Sequence, residues 1–294
     1  METWIIYALL ASAFAGITAV LAKIGISGVN SHLATAIRTV VIVIFSWLMV
    51  FMVGSGSELA HVSGRTWFFL VASGLATGAS WLCFFYALKF GTVSQVSPLK
   101  KSSMILTIIL AFLILGEPVG LWQIVGMGFI ILGTGLMLKL KKKDPSESTN
   151  EKEGGGNWLL FGILAAVFAS LVTILGAIGI ADVEANLGNA IRVVVVLVAS
   201  WGMVLLTRNQ KGVKGIGKKN WIFLILSGLA TGGSWLFFFR ALQIGPASGV
   251  VPIDKLSILL NILFARIFLK EKQSPKQLAG LACLTIGTLV LVLM

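Results

Sequence analysis

Charge is what this sequence has least of. Only 12% of its 294 residues are Asp, Glu, Lys or Arg, about half the roughly 25% of a soluble domain, whereas 57% are hydrophobic. A water-soluble fold of this length needs far more polar surface to cover its core, so the bilayer is the expected solvent. Cysteine and histidine are scarcer still. Cys83 and Cys283 are the only cysteines, and both lie in apolar runs, which excludes a disulfide framework and any zinc-ligand spacing. His32 and His61 are expected in loops far apart in sequence. With no nucleophile–base pair, metal-ligand cluster or phosphate cradle, the chain reads as a non-enzyme that needs no cofactor or metal. The first apolar run begins at Trp4 without a basic n-region or a small-residue cleavage site, and is expected to stay as a span.

What is present in quantity is repetition. A shift of 154 residues lays SGLATGASWLCFFYAL (73–88) on SGLATGGSWLFFFRAL (227–242) without a gap. The same shift places Arg38 on Arg192, Pro98 on Pro252, Lys101 on Lys255 and Glu117 on Glu271. Trp4, Trp47, Trp67 and Trp81 fall on Trp158, Trp201, Trp221 and Trp235, leaving only Trp122 of nine unpaired. Shared membrane composition would not keep so rare a residue in register, so the chain is one unit written twice. The units are expected at 1–140 and 158–294, with the polar, Gly-rich segment 141–157 as a flexible linker.

Each unit holds five apolar runs, near 4–25, 33–53, 66–88, 94–115 and 120–138, then near 158–180, 187–207, 221–243, 248–269 and 275–293. Each is long enough to cross about 30 Å of hydrocarbon, and spans must satisfy their own backbone, so an all-α membrane protein of ten transmembrane helices is expected. Five is odd, so the second unit enters the bilayer inverted. The net charge of +12 fits that topology rather than nucleic-acid binding. Numbering loops alternately, one side collects Lys89, Lys139, Lys141–Lys143, Lys152, Arg208, Lys211, Lys214, Lys218, Lys219, Lys270, Lys272 and Lys276, the other only Arg65. The positive-inside rule then puts both termini outside.

Inverted repeats belong with secondary transporters, whose sites lie near the midplane beside interrupted helices. Pro98 and Pro252 fall a few residues into the fourth helix of each unit, where a proline removes a donor and opposes the carbonyl four residues back. Lys101 and Lys255 follow, roughly 10 Å inside their helices. They either face a cavity or snorkel to the interface. Asp254 precedes Lys255 where the first unit has Lys100, making Asp254 a candidate ion-pair partner or proton carrier. Topology sets Lys23, Arg38 and Lys101 toward one side and Arg192, Arg240 and Lys255 toward the other. Such basic clusters suit alternating exposure of an anionic group, or equally a set of anchors. Ser73, Thr77 and Ser80 form a polar stripe repeated by Ser227, Thr231 and Ser234, beside Gly74–Gly78 and Gly228–Gly232 pairs suited to close helix packing. Trp81 and Trp235 lie mid-helix, lining a cavity or packing.

The segments KIGISGVNSHLATAIRTVV, RTWFFLVASGLATGASWLCFFYAL and PIDKLSILLNILFARIFLKE, with the closing Gly-Thr pairs, resemble the EamA family of the drug/metabolite transporter superfamily, over nearly the whole chain. The resemblance implies a fused pair of single-unit proteins with a central cavity between repeats, moving small metabolites by proton-driven or facilitated transport. The motif is divided between the halves: Lys23 has Ala177 as its mate, and PIDKLS is matched by PLKKSS. The expected substrate is a small polar metabolite such as one carrying a carboxylate, an amino or organic acid, with Lys23, Arg38, Ser80, Trp81, Lys101, Arg192, Ser234, Trp235 and Lys255 as binding residues and protons as a candidate coupling ion. The alternatives are a lipid-headgroup flippase or drug exporter of the same fold, and a non-transporting assembly subunit of the cell membrane.

Overall fold

A computed structural model of the chain describes residues 2–90, 103–137, 157–257, 259 and 275–293. In chain order the helices are α1 (Thr3–Gly25), α2 (Ser31–Val53), α3 (Gly64–Phe90), α4 (Ser103–Leu110), α5 (Leu121–Met137), α6 (Asn157–Ile180), α7 (Ala185–Leu206), α8 (Lys218–Ile244), α9 (Ala247–Lys255) and α10 (Pro275–Leu293). Their bounds follow the apolar runs. Six of them contain stretches long and apolar enough to cross a membrane, in α1, α2, α3, α6, α7 and α8. Ser103–Leu115, Leu121–Gly133 and Leu278–Leu291 are shorter apolar helices. The remainder of the fourth runs, 94–102 and 260–269, lies outside the described residues.

The repeat is visible in local chemistry. Asn30 caps α2, its side chain accepting from the His32 and Leu33 amides. Its mate Glu184 caps α7, accepting from the Leu187 amide at 3.1 Å. Different side chains therefore satisfy the same third-position orphan donor of a first turn, the Leu33 and Leu187 amides. Gly54 ends α2 in the left-handed region at φ 79°, and its mate Arg208 follows α7 at φ 53°. Each is succeeded by a 3₁₀ turn, Ser55–His61 and Asn209–Gly215. One correction concerns His32. It is the second residue of α2 rather than a loop residue, because Asn30 starts the helix two positions earlier. Its Nδ1 lies 2.8 Å from Met203 Sδ.

The chain divides into two compact units, Met1–Gly78 with Leu171–Lys272, and Ala79–Ser170 with Gln273–Met294. Each draws helices from both sequence repeats. In the first unit α1 lies antiparallel along α8, with Trp4 against Gly245 and Gly25 against Leu224. The mate contact, Gly179 against Leu70, joins α6 to α3. Helix α2 crosses its own sequence copy, α7, antiparallel: His32 meets Met203, and Asn189 donates to Ser46 at 3.4 Å. In the second unit α5 and its copy α10 do the same. A Cβ at Gly133 would come 2.6 Å from the Gly280 carbonyl, and one at Gly287 2.7 Å from the Gly126 carbonyl. A helix lying antiparallel on its own copy is the product of a two-fold axis across the helices, the geometry of inverted repeats.

Glycine makes these approaches possible. A Cβ on Gly74 would come 2.7 Å from Val195, and one on Gly228 would come 2.7 Å from Val41. The core of the first unit includes a buried cluster of Leu33, Ala34, Ala36, Ile37, Val204 and Leu224. Large apolar side chains such as Phe51, Val198 and Leu206 stay exposed on the outside. That surface would be a liability in water and is the solvated one in lipid.

Candidate functional site

Capping fixes where α2 and α7 begin, and each then carries an arginine as its eighth residue, about 10 Å along the helix axis. Arg192 is 2% exposed and heads the fully buried side chains by size. Its Nη1 donates to Thr77 Oγ1 at 3.1 Å. The guanidinium carbon stands 4.7 Å from the Trp235 ring centroid and 4.4 Å from that of Phe239. Arg38 is half-buried and donates from Nη2 to Thr231 Oγ1 at 2.7 Å. The two bonds are repeat mates with the partners exchanged. Each threonine gives its own proton to a carbonyl one turn back, Ser73 for Thr77 and Ser227 for Thr231. That leaves the threonine oxygen free to accept from the arginine.

Neither guanidinium has a carboxylate within ion-pairing distance among the described residues, and Nε of both is buried without a hydrogen-bond partner. Arginine has five N–H donors, so Arg192 enters this pocket with most of its capacity unused. A buried ion without a counter-ion is strongly disfavoured, by several kcal/mol after relaxation. The Trp235 and Phe239 faces offset part of that, on the order of 2 kcal/mol for a desolvated cation–π contact. What remains is a buried positive centre with one threonine and two aromatic faces as its partners.

The other sequence-derived residues divide. Ser80 and Ser234 are buried and donate to the main-chain carbonyls of Ala165 and Ala11, at 2.8 and 2.9 Å. These mates therefore stitch α3 to α6 and α8 to α1. Asp254 and Lys255 form an ion pair at 2.9 Å, with side chains 15% and 41% exposed. Pro252 is buried inside α9, whose helical stretch runs on to Lys255. Lys23 is exposed in the last turn of α1, and Trp81 is half-buried. Pro98 and Lys101 lie outside the described residues. Trp235 is brought to Arg192; Lys23 and Lys255 stand elsewhere. No group of three or more His, Cys, Asp or Glu able to hold a metal occurs among the described residues.

A cavity of about 860 Å³ opens between α1, α2 and α8, with Glu184 and Asn186 at one end. Among the described charged residues singled out from the sequence, only Arg240 lines it.

The EamA-like transporter family model matches residues 2–139 and again residues 156–293. The chain belongs to the EamA-like transporter family. A curated relative from Sinorhizobium sp, named "Uncharacterized transporter in cobO 3'region", is 46% identical over 136 residues, which are 46% of this chain and 96% of the relative. A solved crystal structure, 15% identical, aligns with a TM-score of 0.80 over 99% of this chain and 96% of its own. At that identity the likeness is one of fold. This EamA protein is thus a multi-pass membrane transporter acting within the lipid bilayer.

Sequence reasoning on this EamA chain missed the partners rather than the charges. Thr77 and Thr231 stood out as part of a polar stripe, and Phe239 did not stand out at all. The signal was available in the fixed register: Arg38 with Arg192 and Thr77 with Thr231 survive the same shift, as an exchanged pair must.

Proposed function

We propose that this EamA transporter moves a small anionic metabolite, one bearing a carboxylate, across the cell membrane by alternating access. The working arrangement is ten spans in two inverted five-helix repeats, residues 1–140 and 158–294 joined by 141–157, with both termini outside. The observation that carries the reading is the buried Arg192 guanidinium, which has aromatic faces and one threonine but no carboxylate partner among the described residues. Intramembrane ionisable side chains usually mark substrate or ion pathways, and arginine fits a planar carboxylate through two parallel N–H bonds. Arg38 provides the mate station in the first repeat. Asp254, paired with Lys255, is the candidate proton site. Lys23, Lys101, Trp81 and Trp235 complete the proposed set. Ser80 and Ser234, whose hydroxyls donate to the Ala165 and Ala11 carbonyls, would meet substrate only as acceptors. Nothing in this mechanism requires bond-making chemistry.

The test is a thermal-stability screen of purified protein against carboxylates, amino acids and phosphate esters, with neutral and cationic controls. A compound binding only the native state raises apparent stability by mass action, by about 2.7 kcal/mol at one hundred times its Kd. An anion should stabilise the wild type, and Arg192→Gln should lose the response. Equal stabilisation of Arg192→Gln, or a response confined to cations, would overturn the reading. Orientation is tested separately with a reporter fused after Met294: activity in the cytoplasm would reverse the assignment of sides.

A further inference from the structure

The cavity of the first unit has a shape and polarity that the anion reading leaves unused. On α1 its wall is marked by Tyr7, Phe14 and Leu21, and on α8 by Leu226, Gly233 and Arg240. In both helices the spacing is seven residues, two turns, so each wall is a single stripe along one helix face. Each stripe spans fourteen residue-to-residue rises, about 21 Å at 1.5 Å each. One leaflet of a bilayer, headgroup included, is about 20–22 Å thick, half of the roughly 40–45 Å total. The two helices are antiparallel, as Trp4 against Gly245 and Gly25 against Leu224 require, so Tyr7 and Arg240 stand at the same end.

Polarity is confined to that end. Arg240, Glu184, Asn186 and the Tyr7 hydroxyl gather there, and the other lining side chains are apolar. Glu184 uses one oxygen on the Leu187 amide and the other on Asn186 Nδ2. Arg240 is exposed and makes no ion pair with a described carboxylate. Its Nη1 donates to Gln243 Oε1, and Gln243 Nε2 donates to the Ile180 and Val183 carbonyls at 2.9 and 2.7 Å. The guanidinium is thereby held at the rim, with its other N–H donors available. Phe237, ring-to-ring with Tyr7 at 6.1 Å and Phe14 at 5.7 Å, stiffens the wall below it.

Water cannot hold the apolar part of such a space, because each ordered water needs two to four polar partners. In a bilayer, hydrocarbon is always at hand. We infer that the groove between α1, α2 and α8 is a phospholipid site, with one acyl chain lying along its walls and the anionic phosphate at Arg240. The lipid is a bound companion of the protein rather than its cargo, and the site stands whether or not Arg192 binds substrate.

The experiment is native mass spectrometry of the full-length protein in detergent, titrated with palmitoyl-oleoyl phosphatidylglycerol and, separately, with inorganic phosphate. The groove is filled by Leu229→Trp or, from the other wall, Ile17→Trp; both residues line it and are about 40% exposed, so added bulk meets open space. Wild type should retain one phosphatidylglycerol per chain and no phosphate. Whichever tryptophan variant keeps the wild-type melting temperature should bind at least tenfold more weakly, and Arg240→Gln about tenfold more weakly with loss of preference over phosphatidylcholine. Binding in many undifferentiated copies, unchanged binding in a folded tryptophan variant, or binding of free phosphate alone would each overturn the site. Unchanged headgroup preference in Arg240→Gln would remove Arg240 from it.

Discussion

Replacing Arg192 by methionine separates what the guanidinium does for stability from what it does for transport. In the folded protein the side chain gains a charge-assisted hydrogen bond to Thr77, worth about 1.5–3 kcal/mol. Its two aromatic contacts add up to about 2 kcal/mol each when desolvated. Against this stands the charge itself, about 2.5–3.5 kcal/mol for arginine at the centre of an inserted helix and several kcal/mol for a buried ion without a partner. The two sides nearly cancel. Methionine keeps an unbranched apolar stem between Trp235 and Phe239 and gains a sulfur–aromatic contact of about 0.3–1.5 kcal/mol. It leaves no donor stranded, since Thr77 still gives its proton to the Ser73 carbonyl. Arg192→Met should therefore change stability by less than about 2 kcal/mol, summing the contributions above. The same variant should lose all stabilisation by the anion found in the screen, and all uptake of it in proteoliposomes. The assay is thermal unfolding in detergent followed by tryptophan fluorescence, with size-exclusion as a check on folding. A variant that collapses or aggregates while Arg192→Lys restores stability but not transport would make the arginine a structural latch, and the energetic reasoning would be wrong.

Other perturbations follow from single contacts. Arg208 holds a left-handed backbone where its mate is glycine, a conformation costing an L-residue roughly 1–2 kcal/mol, so Arg208→Gly should stabilise by about 1 kcal/mol in chemical unfolding; destabilisation would show that its side chain matters more than its φ. Gly228→Leu drives side-chain atoms into Val41 and the Arg38 carbonyl and should cost at least about 1–3 kcal/mol, with Gly74→Leu behaving alike because it meets Val195 and the Arg192 carbonyl; an unchanged melting temperature in either would contradict the packing. Ser234→Ala removes the bond to the Ala11 carbonyl and should cost about 0.6 kcal/mol, the mean for such bonds in a membrane protein, measured against Ser80→Ala. Asp254→Asn breaks a partly exposed pair worth no more than about 1 kcal/mol, so any large loss of transport in that variant reports on proton coupling rather than on folding.

The helices themselves were legible. A run such as SHLATAIRTVVIVIFSWLMVFMV has few charges and enough length to span, and α2 occupies it at Ser31–Val53. The repeat was legible because tryptophan and arginine are rare in such runs, so their register stands out. Contacts across the repeats were not. Nothing in the first repeat says that Arg38 will bond Thr231 rather than Thr77; that is decided by the antiparallel crossing of α2 on α7 and by α8 lying beside α2. Ser80 and Ser234 read as binding groups because each continues a repeated polar stripe, yet each meets a carbonyl on the helix packed against it. The groove was invisible for a related reason. A stripe like Tyr7, Phe14 and Leu21 marks any lipid-facing helix until a second wall, ending in Arg240, is set opposite.

The exchange of partners between repeats has a consequence for how the chain is made. When the ribosome has delivered only the first repeat, Arg38 is in place but Thr231 does not yet exist, and Gly25 lacks the Leu224 it packs on. Thr77 waits likewise for Arg192, and Gly133 for Gly280. The helices of the first repeat thus carry close-packing faces whose partners, Leu224 and Thr231, lie in the third helix of the second. The close packing of the first repeat is therefore completed only by residues that the second repeat supplies.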